Sequence, residues 1–142
     1  MKILLALMLF ACPALAQDLV KAEITKVTDG DTVKAIVNNE ELNIRLLDID
    51  TFETRAIPRA YWQAEENHMS LGEVLKKGEQ SKQVLQNIIS KNKGNIYIEP
   101  SKKDKYGRTL GTLYIGNNKE QSINQYMLDK GGALPYRERK KQ

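Results

Sequence analysis

The sequence predicts a mainly β domain with additional α-helices, built as a five-stranded Greek-key barrel with two helices. Three observations predict this class: apolar residues alternate with polar ones between residues 20 and 46, a helical pattern follows at 71–91, and two further strand patterns come after it. A parallel sheet would instead need strands and helices in regular alternation. The chain has 142 residues, which suits one domain with a real hydrophobic core.

The first three predicted strands each place their apolar residues on one face. The first strand starts at Val20 and ends at a turn of Asp29 and Gly30, where glycine tolerates a positive φ. A second turn is predicted around Asn39, and Arg45 of the third strand is expected to point outward. The inward residues are Val20, Ala22, Ile24, Val33, Ala35, Val37, Leu42, Ile44 and Leu46.

The second half of the chain is predicted to contain two helices and two strands. Apolar residues recur at helical spacing over 71–91, and strands are expected at 95–99 and 108–115 with the charged loop PSKKDKYG between them. A helix at 121–130 is expected to place Tyr126 and Met127 in the core. This order of elements matches the small barrel of the oligonucleotide-binding type, the OB-fold.

The N-terminal stretch MKILLALMLFACPALAQ is typical of a secretory signal peptide. It carries Lys2, an apolar run over 3–10 that is too short to span a membrane, and small residues up to Ala16. We therefore expect a signal peptide at 1–16, one domain at 17–142, and a secreted or periplasmic protein. The alternative is a lipoprotein signal, with the single cysteine, Cys12, as the modified residue.

Charge and cysteine content narrow the partners. The formal net charge is +4, which favours an anionic partner. Cleavage after Ala16 would remove Cys12, so the mature chain would depend on packing and not on disulfides. Residues 54–70 fit no regular element and are predicted to be a loop that holds the only tryptophan and the only histidine, His68. A lone histidine indicates an ordinary loop residue, since no second one is present to share a zinc ion.

An Asp-Gly pair between two strands usually indicates only a hairpin turn. If the next hairpin turns near Asn39, residue 31 lies opposite residue 48, so Asp31 begins one strand where Asp50 ends its neighbour. Two close carboxylates repel each other unless a cation separates them. Calcium fits best, because it accepts an irregular mixture of carboxylate, carbonyl and water oxygens.

Two further residues complete the parts needed for phosphodiester hydrolysis. Arg45 lies close in sequence to Asp50 and is able to clamp a phosphate, while Glu53 is able to activate water beside a metal. The loop that contains Lys102, Lys103 and Lys105 is suited to gathering phosphate without reading base sequence.

Three motifs in this order, VTDGDTV, RLLDIDTFET and DKYGRTLGTLYI, resemble those of the staphylococcal nuclease, or thermonuclease, family. The resemblance covers residues 19–133. It implies that Asp31 and Asp50 are the calcium carboxylates, that the backbone carbonyl of Thr51 is a further ligand, and that Asp29 supports the site from outside the ligand shell.

The same resemblance implies the residues that act on substrate. Arg45 and Arg108 match the arginines that bind the reacting phosphate, and Glu53 matches the family's general base. Lys105 and Tyr106 match positions that contact the other phosphate of the nucleotide. Proteins of this family cut single-stranded or flexible DNA and RNA and leave 3′-phosphate ends, so the resemblance implies these substrates and products. We expect the protein to be a monomer.

Several features leave alternatives open. Phe52 replaces the proline of the family motif, and Asp48 adds a carboxylate that either binds metal or faces solvent. Arg108 has a structural alternative, a salt bridge to Glu99 or Asp104. The rival functional class is a non-catalytic OB-fold module that binds nucleic acid, and a weaker one is an exported scaffold that binds anionic cell-surface polymer.

Overall fold

A computed structural model describes residues 19–137, so the predicted signal peptide lies outside the described residues. These residues form strands and helices in the order β1 (Val20–Lys21), β2 (Glu23–Asp29), β3 (Thr32–Val37), β4 (Glu40–Leu46), β5 (Ile49–Asp50), α1 (Pro58–Glu66), α2 (Leu71–Lys91), β6 (Ile96–Lys103), β7 (Thr109–Ile115), α3 (Ile123–Lys130) and β8 (Leu134–Pro135). Between residues 19 and 137, no helix has the length and apolar character needed to cross a membrane.

Six strands form one curled sheet in the order β1-β6-β7-β4-β3-β2, and β5 pairs with β8 in a separate two-stranded sheet. The two edge strands, β1 and β2, are separated only by Ala22, so one short segment borders both edges of the curled sheet. The prediction of five strands and two helices is therefore wrong in its counts. The predicted first strand is divided in two, and the short strands β5 and β8 and the helix α1 are added.

The β3–β4 hairpin sets the register of the site. Asn38 and Asn39 both have positive φ values, 50° and 62°, as a two-residue type I′ turn requires. Thr32 consequently pairs with Arg45, and the amide of Leu46 donates to the carbonyl of Asp31 at 2.8 Å. The prediction that residue 31 lies opposite residue 48 is wrong by two positions, because the hairpin turn is as short as an antiparallel pair allows.

The main core lies between the curled sheet and the helices α2 and α3. Leu85 of α2 and Met127 of α3 are fully buried against strand residues such as Ile44 and Leu113. The prediction that Tyr126 also packs in the core is wrong, since its side chain is 41% exposed. Neighbouring residues on a helix point about 100° apart, so Tyr126 and Met127 do not share one face.

Helix α1 replaces part of the loop predicted at 54–70. Pro58 stands in its first turn, where a missing amide hydrogen has no cost. Ala60 faces a second apolar cluster made with Phe52 and with Val74 of α2. The helix ends before His68, which is exposed and has a φ of 52°.

Candidate active site

Asp31 lies at the start of β3 and is almost buried, with 7% of its surface exposed. Its carboxylate accepts hydrogen bonds from the hydroxyl of Thr32 and from the backbone amide of Thr51, both at 2.9 Å. The Nη2 atom of Arg45 lies 3.4 Å from Asp31 Oδ2. These contacts fix Asp31 against the segment that follows β5.

Glycine was predicted to be needed at position 30 because it tolerates a positive φ, but the structure shows a different reason. Gly30 is absent from the positive-φ residues of the described chain. A methyl group on Gly30 would instead lie 2.7 Å from the Cβ of Ser81 in α2 and 2.9 Å from a methyl carbon of Thr51. Glycine is required here because the turn, the helix and Thr51 approach one another closely.

The prediction that Arg45 points outward into solvent is wrong, because its side chain is only 11% exposed. The chain after β4 folds back over it, and Nη1 donates to the carbonyls of Leu46 at 2.8 Å and Ile49 at 2.9 Å. Its Nη2 lies 3.2 Å from Asp50 Oδ1 as well as close to Asp31. One buried guanidinium therefore joins the two aspartates that the sequence predicted to meet.

Asp50 reaches this position through a tight bend. Asp48 has a φ of 64°, which aspartate tolerates better than most residues, and it is exposed at the bend. Burial raises the pKa of the Asp50 carboxyl and the charge of Asp31 raises it further, while Arg59 and Arg45 act against the rise. The Asp50 carboxylate thus lies in a partly desolvated environment beside a second negative charge, that of Asp31.

Glu53 lies next to this pair and is held through its backbone and its side chain. Its amide donates to Gln63 Oε1 at 2.9 Å, and Gln63 Nε2 donates to the carbonyl of Thr51 at 3.2 Å. Burial raises the pKa of Glu53, and the charges of Asp29 and other site carboxylates raise it further. Phe52 stands where the family motif has a proline. It fixes the same segment by packing with Ala60 and Val74 in the second apolar cluster.

Two site residues, Arg59 and Gln63, were not among the predicted ones. Arg59 Nη2 lies 2.6 Å from Asp50 Oδ2, and its Nε lies 3.2 Å from Glu53 Oε1. The two residues are one helical turn apart on α1, so they present the same face to the site. The signal that could have found them is Pro58, followed by polar residues at a spacing of four.

The charges and donor atoms of the site fit a calcium ion. The charges of Asp29, Asp31 and Asp50 act on Glu53, and the charge of Asp31 acts on Asp50. Among the described residues, Arg45 and Arg59 are the cations paired with these carboxylates. Thr51 Oγ1 is buried without a hydrogen-bond partner in the described structure. No group of three or more His, Cys, Asp or Glu side chains within residues 19–137 is able to hold a metal. The residues present offer two carboxylates together with the carbonyl and the unpartnered hydroxyl of Thr51, which are oxygen donors of the kind that calcium accepts.

Asp29 lies beside this group, where its Oδ1 accepts a hydrogen bond from the hydroxyl of Thr54 at 3.1 Å. Within residues 19–137 it forms no hydrogen bond or ion pair with Asp31 or Asp50, and its charge acts on the site by raising the pKa of Glu53. Its role as a supporting residue outside the ligand shell stays a prediction.

Arg108 stands one residue before β7 and forms a salt bridge with Asp104, which is one of the two partners that the structural alternative named. Its Nε donates to Asp104 Oδ2 at 2.7 Å, and its backbone amide donates to Oδ1 at 2.9 Å. Leu110, two residues later, is the register partner of Arg45 in the parallel β4–β7 pair. Arg108 therefore lies in the chain two residues before the β7 position that pairs with Arg45.

Tyr106 projects from the same loop and is 72% exposed. Lys105 Nζ lies 5.1 Å from the centre of its ring, and the guanidinium carbon of Arg108 lies 5.6 Å from it. The structure thus keeps the predicted substrate-binding residues, Lys105 and Tyr106, together with Arg108 in one loop.

The chain resembles several characterised and uncharacterised proteins. It is 27% identical to Protein ParB of Escherichia coli over 139 residues, which cover 94% of this chain and 66% of that protein. It is 37% identical to an uncharacterized protein of Methanocaldococcus jannaschii over 121 residues, covering 80% of this chain and 58% of that protein. It is 27% identical to the micrococcal nuclease of Shigella flexneri over 123 residues, covering 82% of this chain and 59% of that protein.

The chain thus spans between 58% and 66% of the length of these three relatives. A family model described as "Staphylococcal nuclease homologue" matches residues 43–142, which include most of the site from Arg45 to Arg108. That match covers more than half of the sequence. The chain therefore belongs to the family of staphylococcal nuclease homologues.

Proposed function

We propose that the protein is an exported, calcium-dependent nuclease that hydrolyses phosphodiester bonds of DNA and RNA with little sequence specificity. The observation that carries the proposal is the convergence of Asp31 and Asp50 on the buried guanidinium of Arg45, with Glu53 joined to Asp50 through Arg59. Export is supported by the signal-peptide pattern at 1–16. Relatives that are named nucleases or endonucleases support the reaction class.

Asp31, Asp50 and the carbonyl of Thr51 would hold the calcium ion. When bound, calcium supplies Lewis-acid polarisation of the phosphate and charge compensation in the transition state. The remaining work falls to side chains of the chain itself. Asp31 is well suited to its part, because its two hydrogen bonds fix the carboxylate before any ligand arrives.

Glu53 is the proposed general base. Burial and neighbouring carboxylates raise its pKa, which makes the carboxylate a stronger proton acceptor for the attacking water. The water oxygen bonds to phosphorus and the bond from phosphorus to the 5′ oxygen breaks. The 5′ oxygen leaves with a proton, and the phosphate stays on the 3′ end.

Arg45 and Arg108 are proposed to offset the negative charge that grows on the phosphate oxygens. Arg45 is fixed by two backbone carbonyls, so its charge needs no reorganisation during the reaction. Lys105 and Tyr106 are proposed to hold the adjacent nucleotide through a phosphate contact and the exposed ring. A surface of this kind holds the backbone and reads little base sequence.

The test is cleavage of an end-labelled single-stranded DNA by the purified protein, with calcium or with excess chelator, beside Asp31→Ala. Binding to the same DNA is measured in parallel. We expect cleavage only with calcium, 3′-phosphate ends, and loss of cleavage with retained DNA binding in the variant. Binding without cleavage by the wild-type protein at any calcium concentration would instead identify the chain as a binding module.

A further inference from the structure

Arg59 contacts two carboxylates that would not need an arginine as partner in a nuclease site with a bound metal. Its guanidinium bridges Asp50 and Glu53, with distances of 2.6 Å from Nη2 to Asp50 Oδ2 and 3.2 Å from Nε to Glu53 Oε1. The proposed function makes the first of these carboxylates a metal ligand and the second a base. One side chain from α1 thus covers two groups that must both be free to act.

The two arginines of the site differ in how firmly they are held. Arg45 is 11% exposed, and its guanidinium also donates to two backbone carbonyls. Arg59 is 36% exposed, stands on a surface helix, and the contacts recorded for its guanidinium are the two carboxylates. Arg45 is therefore a fixed part of the site, whereas Arg59 is able to swing into solvent at the cost of two partly exposed ion pairs.

Asp50 has little spare capacity while Arg59 is in place. Its Oδ1 lies against Arg45 and its Oδ2 against Arg59, so both oxygens already face a guanidinium. A divalent cation that binds Asp50 would sit close to a second positive charge, and like charges repel strongly in a partly desolvated site. Cation binding and the Arg59 contact therefore oppose each other.

We propose that Arg59 is an internal counter-cation, which holds Asp50 and Glu53 together in the metal-free protein and is displaced when a divalent cation binds. The inference rests on the proposed calcium site. Arg59 prevents repulsion between the carboxylates before the metal arrives, and its displacement frees Glu53 at the moment the site is loaded. The calcium affinity of the site is accordingly lower than its carboxylates alone would give.

The test is a calorimetric calcium titration of the metal-free protein and of Arg59→Gln, which removes the charge and keeps a side chain of similar length. We expect Arg59→Gln to bind calcium roughly three- to tenfold more tightly, because the free energy of two partly exposed ion pairs corresponds to a change in affinity of this size. Arg59→Lys keeps the charge and should stay near wild type. Arg55→Gln is the matched control, because Arg55 is exposed and forms no ion pair within residues 19–137.

Thermal unfolding gives a second measurement that does not depend on activity. Without calcium, Arg59→Gln should unfold at a lower temperature than wild type, because Asp50 and Glu53 lose their shared partner. Saturating calcium should raise its unfolding temperature by more than it raises that of wild type. Arg55→Gln should show neither difference.

The possible results separate the inference from the proposed function. Equal or weaker calcium binding by Arg59→Gln, in a wild-type protein that binds calcium and cleaves DNA, would overturn the inference alone. It would assign Arg59 to positioning the carboxylates. If neither protein binds calcium, the proposed calcium site fails and the inference fails with it. Tighter binding by Arg59→Gln supports the inference even where cleavage by the variant is slow.

Discussion

Gly30 and Gly78 are the residues that bring the site segment against helix α2. A methyl group on Gly78 would lie 2.6 Å from the carbonyl oxygen of Phe52 and closer still to that of Glu53. Neither glycine has a positive φ, so space and not backbone conformation explains both. The general base is therefore positioned partly by the absence of a side chain on a helix that otherwise contributes to the core.

Gly78→Ala tests this packing. We expect a loss of about 1 to 3 kcal/mol in the free energy of unfolding, because backbone atoms of the Phe52–Glu53 segment must move. Gly72→Ala is the control in the same helix, since its nearest contact would be 3.9 Å away, and it should be neutral or stabilise by up to about 1 kcal/mol. Urea unfolding measures both variants, and equal stabilities would contradict the account.

The predicted site residues differ in how far the sequence could locate them. Asp31, Arg45 and Asp50 converge because a hairpin and the turn after it are local features, and a register error of two positions did not separate them. Arg59 and Gln63 were missed because their positions depend on how α1 docks. Pro58 and the polar spacing of four indicate a helix, but they do not specify against which part of the molecule that helix packs.

Helix α1 shows the limit of periodicity at the scale of an element. It has nine residues and only one apolar residue, Ala60, that is buried in full. So weak a stripe is not distinguishable from a loop by spacing alone. The bounds predicted for the longer helix α2 are confirmed, because apolar residues such as Val74, Leu85 and Ile89 recur over several turns. In the structure, the hydroxyl of Ser70 also caps its first turn.

The loop after β6 is organised by one carboxylate. Asp104 accepts hydrogen bonds from the amides of Tyr106 and Arg108 and from the Arg108 side chain. The predicted loop PSKKDKYG is therefore shorter in the structure, since β6 extends to Lys103. Local side-chain bonds to the backbone of this kind define a turn that hydropathy does not reveal.

The Asp104 carboxyl gives a pH prediction. Burial alone would raise its pKa, but the hydrogen bonds from Arg108 and Tyr106 lower it below the ordinary value of 3.8. A depressed pKa means that the stabilisation is present above the unfolded-state pKa and is lost as the pH falls through the folded-state value. NMR titration should show Asp104 titrating below 3.8 in wild type and nearer 3.8 in Arg108→Gln. The same titration in both proteins would contradict the pairing.

At the scale of the whole molecule, the structure combines a common barrel-like frame with a highly charged site. The curled sheet follows from alternation and a tight turn, which the sequence predicts well. The division of the first strand at Ala22, by which one segment borders both sheet edges, depends on pairing with the distant β6. Local sequence patterns do not encode such non-local pairing.

Asp50 is proposed to belong to a cation-dependent hydrolytic site and not to be merely one of many surface charges. Two aspartates in one short segment provide a matched test, because Asp50 contacts Arg45 and Arg59 whereas Asp48 is exposed at the bend. Both are changed to asparagine, so that each variant loses one negative charge and keeps its side-chain shape.

The most direct measurement is the rate of single-stranded DNA cleavage across a calcium titration for wild type, Asp50→Asn and Asp48→Asn. We expect calcium-dependent cleavage by wild type and Asp48→Asn, and a loss of about 100-fold or more in Asp50→Asn. Equal rates for the two variants, or cleavage by wild type that persists in excess chelator, would contradict this expectation.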